Sequence, residues 1–104
     1  MIARIAYFEA LTAEQETAVE YNFHNRFRAA LTGQPGLVAS FWLRAADGRR
    51  IAISVWESRS MMEDGARRAN AVPLLPGQRG EDIPSPIRVE MADVSDHFLG
   101  TRGG

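Results

Sequence analysis

Residues 37–44, LVASFWLR, and 50–56, RIAISVW, flank an Asp47-Gly48 dipeptide, and neither face of the hairpin they form is polar enough to meet solvent. A strand with one wet face alternates apolar and polar residues, because successive side chains point to opposite sides. Here both faces carry bulky apolar groups, so the hairpin needs cover on both sides. Asp-Gly is a strong signal for a two-residue turn, since both residues tolerate a positive φ. With that turn Ala46 pairs with Arg49, and Phe41 with Ser54. One face then holds Ala39, Phe41, Leu43, Ala52, Ser54 and Trp56, and the other Val38, Ser40, Trp42, Ile51, Ile53 and Val55. A three-residue loop would change this pairing and regroup the faces.

The remaining chain offers limited cover. Residues 2–10, IARIAYFEA, read as a strand. Thr12 and Gln15 form a capping box that opens a helix running to Leu31, stopped by Gly33 and Pro35. Its apolar stripe is Val19, Phe23, Phe27, Ala30 and Leu31. Ser58 or Ser60 opens a second helix, amphipathic through Met62, Ala66 and Ala69, supported by Glu63–Arg67 and Asp64–Arg68 pairs and weakened by Gly65. Residues 72–86, with four Pro and two Gly, form a long ordered or semi-ordered loop, and 87–94 the last strand. The order β-α-β-β-α-β predicts an α+β, ferredoxin-like fold: an antiparallel sheet with both helices on one face. Two helices cover one side of four strands. The other side is expected to meet the same face of another copy, giving a homodimer.

At 104 residues the chain is one domain, expected over 1–99, with 100–104 as a frayed tail. A net charge of −1 supplies no field for nucleic acid or anionic lipid, and no apolar run is long enough to span a membrane. The first residues lack a signal-peptide profile, so a cytoplasmic location is expected. All 12 basic residues are Arg, which removes Schiff-base and P-loop lysine chemistry. There is no Cys, and only two His, so a thiolate or His-rich metal site is not expected.

Pro35-Gly36-Leu37 opens the second strand, and Val55-Trp56-Glu57-Ser58 ends the third and leads into a helix. In this order of elements the pair resembles the antibiotic biosynthesis monooxygenase superfamily of dimeric α+β barrels, over residues 2–94. The resemblance implies protomers whose sheets pack face to face, with a pocket between each sheet and its helices. Its haem-degrading branch carries an Asn on the first strand and a Trp and a His on the second helix. None of the three is present here. Its cofactor-independent oxygenases instead place an electron-rich phenol in an apolar, water-poor pocket. The resemblance therefore implies an oxidoreductase with no cofactor and no metal, acting on aromatic or quinone-like substrates. The competing reading is a non-catalytic dimeric protein that binds a small ligand in the same pocket.

Small residues beside large aromatics on the hairpin predict an apolar cavity among Phe23, Phe27, Phe41, Trp56 and Met62, suited to a planar aromatic small molecule. If Trp42's face meets the helices instead, the site centres on Trp42. No catalytic base is assigned. His24, between Glu20 and Arg28 at four-residue spacing, reads as part of a solvated ladder, and His97 as surface. Tyr7 and Tyr21 are candidates to position a phenol, although a buried Tyr with a satisfied hydroxyl is commoner. Arg44, Arg49 and Arg50 read as exposed charge around a turn.

Overall fold

The computed structural model describes residues 1–100, and the last four positions of the expected tail lie outside the described residues. Strands β1 (Ile2–Phe8), β2 (Leu37–Arg44), β3 (Arg50–Trp56) and β4 (Arg88–Asp93) form one sheet in the order β2-β3-β1-β4. All neighbouring strands are antiparallel. The first helix runs as Ala13–Asn22, a π-helical turn Phe23–Phe27, and Arg28–Leu31; the second is Arg59–Ala71. This is the ferredoxin-like α+β architecture read from the element order.

Local chemistry explains the boundaries. Thr12 caps the first helix by accepting from the Gln15 N–H, and the Gln15 side chain accepts from the Thr12 N–H in return. Val19, Phe23, Phe27 and Leu31 recur every four residues. On an α-helix such a row drifts by about 40° per step. The π turn, in which the Arg28 N–H donates to the Phe23 carbonyl, takes up part of that drift and keeps the row facing the sheet. Ser58, rather than Ser60, caps the second helix by accepting from the Met61 N–H. On that helix Arg67 pairs with Asp64 instead of Glu63, and Arg68 donates to Gln34.

The hairpin differs from the expected two-residue turn. Phe41 pairs with Ile53 and Trp42 with Ala52, and the Ala45 N–H donates to the Arg49 carbonyl, so the loop has three residues, 46–48. Only Gly48 has a positive φ, at 87°, whereas a type I′ turn needs two such residues. Asp47 instead accepts from the Arg49 N–H. The one-residue slip moves Phe41, Leu43 and Ala39 to the same face as Ile51, Ile53 and Val55, while Trp42 joins Ala52, Ser54 and Trp56. β1 adds Ile2, Arg4, Ala6 and Phe8 to the second group. The helices cover that second face. The first face is uncovered in the single chain, leaving Phe41 51% exposed.

The buried core lies at one end of the layer between helices and sheet: Ile2, Leu31, Trp56, Met62 and Ala69, with Phe27, Ala30 and Leu37 packed against it. Trp56 is 1% exposed, and its ring lies against Gly65 on the second helix. A Cβ at Gly65 would overlap the six-membered edge of that ring. Gly65 is thus a packing requirement for Trp56, and its cost to helix propensity is secondary. The two sequence landmarks also meet here, because the Glu57 N–H donates to the Gly36 carbonyl at 2.8 Å.

On an exposed helix a Gly→Ala change would stabilise by about 1 kcal/mol. Gly65→Ala is expected to do the opposite, lowering stability by about 1–3 kcal/mol through overpacking against Trp56. Urea denaturation measures the sign. A stabilised variant would show that the ring and helix do not meet as described.

Candidate functional site

Beyond Trp56 the layer opens. Ala6, Ala52 and Ala66 leave a cavity of 410 Å³ between the sheet and the helices. Its walls are Phe8 and Trp42 from the sheet and Phe23 and Phe27 from the first helix, and its far side is Leu74, Ile83, Pro84 and Pro86 of the long loop. A second lobe of 50 Å³ runs toward Trp56, Met62 and Leu31 and shares Arg4, Phe23, Phe27, Ala52 and Ala66 with the first. The volume is in the range of small-molecule sites.

The loop is held in place by Arg26, which donates from Nε to the carbonyls of Val72 and Pro73 at 3.2 Å and from Nη1 to Asn22 Oδ1. Gln78 reaches the same Asn22 oxygen at 3.1 Å. The Ile87 N–H donates to the Tyr7 carbonyl at 2.7 Å where the loop enters β4. The cavity wall is thereby tied to both the first helix and the central strand.

Trp42 is the most constrained aromatic. It stacks on Phe23 with ring centres 5.4 Å apart and 19° between planes, and meets Phe8 edge-on at 5.5 Å. Its Nε1–H donates to Glu20 Oε1 at 3.2 Å, and the Arg50 guanidinium lies 5.2 Å from its ring centre. Arg50 is buried and donates to Glu20 at 2.6 Å and Glu16 at 3.2 Å. Arg44 joins Glu16 at 2.6 Å and Arg49 pairs with Asp47. The expected exposed arginine cluster is thus divided, because Arg50 lies on the Ala52, Ser54 and Trp56 face of β3, which the first helix covers with Glu16 and Glu20. Burial pushes the Glu20 carboxyl up, but the Trp42 N–H, the Arg50 charge and His24 outweigh it and hold the group below the ordinary carboxylate range.

Four of the five expected site residues line this space. Phe23 and Phe27 border both lobes, and Trp56 and Met62 border the smaller one. Phe41 does not; the three-residue loop turns it to the uncovered face, and Trp42 stands in the wall instead. His24 is exposed beside Glu20, with Nε2 3.0 Å from Oε2, which is the Glu20 rung of the expected ladder. Tyr21 is exposed, and Tyr7 lies under Arg88 on the outer face. Neither tyrosine lines the cavity.

Arg4 and Arg26 were absent from the expected site. Arg4 was legible: it interrupts the inward-facing series Ile2, Ala6, Phe8 on a central strand. Arg26 was not, because its role depends on where the loop returns. Among the described residues no cluster of His, Asp and Glu is placed to hold a metal ion. The cavity lining contains no His, Cys or Tyr.

No profile of a known protein family matches the sequence, and no curated protein matches it either. Solved structures do match. A variant of MhuD, the haem-degrading protein of Mycobacterium tuberculosis, solved with two manganese protoporphyrin IX bound per active site, superposes with a TM-score of 0.69 at 22% identity, over 96% of this chain and 100% of that one. The ActVA-Orf6 monooxygenase of Streptomyces coelicolor, in complex with nanaomycin D, gives 0.62 at 17% identity over 96% and 92%. SnoaB, a cofactor-independent oxygenase of Streptomyces nogalater, gives 0.61 at 17% over 95% and 97%. The chain has the fold of the antibiotic biosynthesis monooxygenase superfamily. Among the described residues no helix is long and apolar enough to cross a membrane.

The Glu20 cluster carries a pH signature. A carboxyl held below its unfolded value contributes stability above the unfolded carboxylate range and loses it as pH falls through the folded value. Glu20→Gln is expected to cost about 1–3 kcal/mol at neutral pH. Urea denaturation should show that gap narrowing as pH is lowered, because the parent carboxyl then protonates too. A gap independent of pH would contradict the assigned role.

Proposed function

We propose that this protein is a small-molecule oxidoreductase, working as a homodimer, that oxygenates phenolic or quinone-like aromatic substrates without a cofactor. The observation that carries the reading is the 410 Å³ cavity with a fixed aromatic wall. A planar ring can stack on that wall while the surrounding side chains exclude water. The relatives named above include two oxygenases, one of them cofactor-independent. In such chemistry the substrate supplies the electrons. A phenol with a free ring C–H reacts with O₂ to give the quinone and water, so one oxygen atom enters the ring and the other leaves as water. The protein's part is to bind and orient the ring, keep water out and favour the electron-rich phenolate.

A second reading, a dimeric protein that binds such a ligand without chemistry, is favoured by one observation. The lining has no carboxylate or histidine to act as a base. The two readings separate on oxygen uptake. With a panel of hydroxylated anthracene- and naphthalene-type phenols, the enzyme consumes one O₂ per quinone formed, without added metal or reductant. Saturable binding with no oxygen uptake above the background rate would leave only the binding protein.

The uncovered sheet face supports the dimer. Ile5, Phe41, Leu43, Ile51, Ile53 and Val55 form one apolar surface on a single protomer. A second copy of the same face is the complementary partner, related by a two-fold axis. Ile53→Asp is expected to give monomer, or an unfolded chain, in light scattering. A stable monomer of the unaltered protein at micromolar concentration would refute the dimer.

A further inference from the structure

The molecule treats its inward-facing arginines unequally. Arg50 is buried and has two carboxylates, Glu16 and Glu20, within 3.2 Å. Arg26 is satisfied by neutral acceptors: the carbonyls of Val72 and Pro73 and the Asn22 amide oxygen. Arg4 stands on the central strand β1, opposite Ser54 on β3 and Met91 on β4, and borders both lobes of the cavity. It is half-buried, and among the described residues it has no hydrogen-bond or ion-pair partner. The lining of the two lobes contains Arg4 and Arg26 and no Asp or Glu.

Removing a guanidinium from water without a counter-ion is unfavourable, and proteins ordinarily pair such a group. This chain does so for Arg50 in the same layer. Arg4 is placed where an apolar side chain would fill the gap between Ile2 and Ala6, and it is left open toward a space of ligand size. Its fork of donors suits two oxygen atoms of a bound anion, and the apolar walls strengthen that attraction.

We propose that the cavity takes a planar aromatic anion and that Arg4 is its counter-ion, an inference that rests on the cavity being the ligand site. A carboxylate on the ring and an ionised phenol share the required chemistry: negative oxygen at the edge of an apolar plane. Arg4 binds that oxygen while Trp42 and Phe23 hold the ring. For a phenolic substrate the same contact favours the phenolate, the form that donates electrons to oxygen.

The test uses anthraquinone-2-carboxylate and its neutral carboxamide, followed by quenching of Trp fluorescence and by calorimetry. The carboxylate is expected to bind about tenfold tighter than the carboxamide, the effect of one charge-assisted hydrogen bond. Arg4→Gln should bring the two within about twofold, chiefly by weakening the carboxylate. Arg4→Lys should keep part of the preference. Because the Arg4 side chain bonds to no other described residue, Arg4→Gln should melt within a few degrees of the parent protein. Equal affinity for the two probes in the parent protein overturns the anion proposal and leaves the ligand site standing. A preference that survives Arg4→Gln overturns the role of Arg4. Failure of both probes to bind overturns the ligand site, and this inference with it. Where the carboxylate is preferred, a hydroxyanthraquinone separates the sources of the charge. Ionisation on binding, seen as the phenolate absorbance, assigns the phenol; a bound neutral phenol assigns the carboxylate. The neutral phenol overturns the phenolate contact and leaves the carboxylate as the anion.

Discussion

The packing of Trp56 against Gly65 sets the spacing between sheet and helices, and the rest of the structure depends on it. The ring is too large for the layer unless the helix presents bare backbone to it, which Gly65 does. Met62 and Ala69, from adjacent turns of the same helix, close around the ring, and Leu31 joins from the first helix. With the layer propped at that height, the alanines at 6, 52 and 66 cannot fill the other end. Close packing at one end therefore creates open space at the other. Protein interiors rarely leave such space, because each unfilled volume loses dispersion contacts.

The charged cluster beside Trp42 follows a similar logic. Burying Arg50 is costly by itself, and two carboxylates offset the cost. The arrangement fixes the plane of an indole through a hydrogen bond at its edge and a cation over its face. That rigid wall is what a planar ligand would meet. A change at Glu20 thus acts on both stability and the position of the cavity wall.

The order of elements was legible because each boundary rests on local chemistry. The Thr12 capping box, the Gly33 and Pro35 stop and the Pro-rich 72–86 segment act within a few residues of themselves. The need for cover on both faces of the hairpin was legible too. What the sequence left open was register. Asp-Gly satisfies a two-residue turn and a three-residue loop alike, and only the tertiary structure fixes Gly48 as the single positive-φ residue of the 46–48 loop. One residue of slip exchanged Phe41 for Trp42 in the cavity wall. The π turn at Phe23 was foreshadowed only by the four-residue spacing of the apolar row. Arg26 has one local partner, Asn22, but the carbonyls it holds in the loop are 46 and 47 positions away.

A ligand-bound crystal structure tests the central claim, that the open end of the layer is a binding site, most directly. With anthraquinone-2-carboxylate the ring should lie between the Trp42–Phe23 wall and the loop at Ile83–Pro86, with its carboxylate within hydrogen-bond reach of Arg4. A ring bound on the outer sheet face, or a cavity closed by collapse of the 72–86 loop with no ring density, would contradict it.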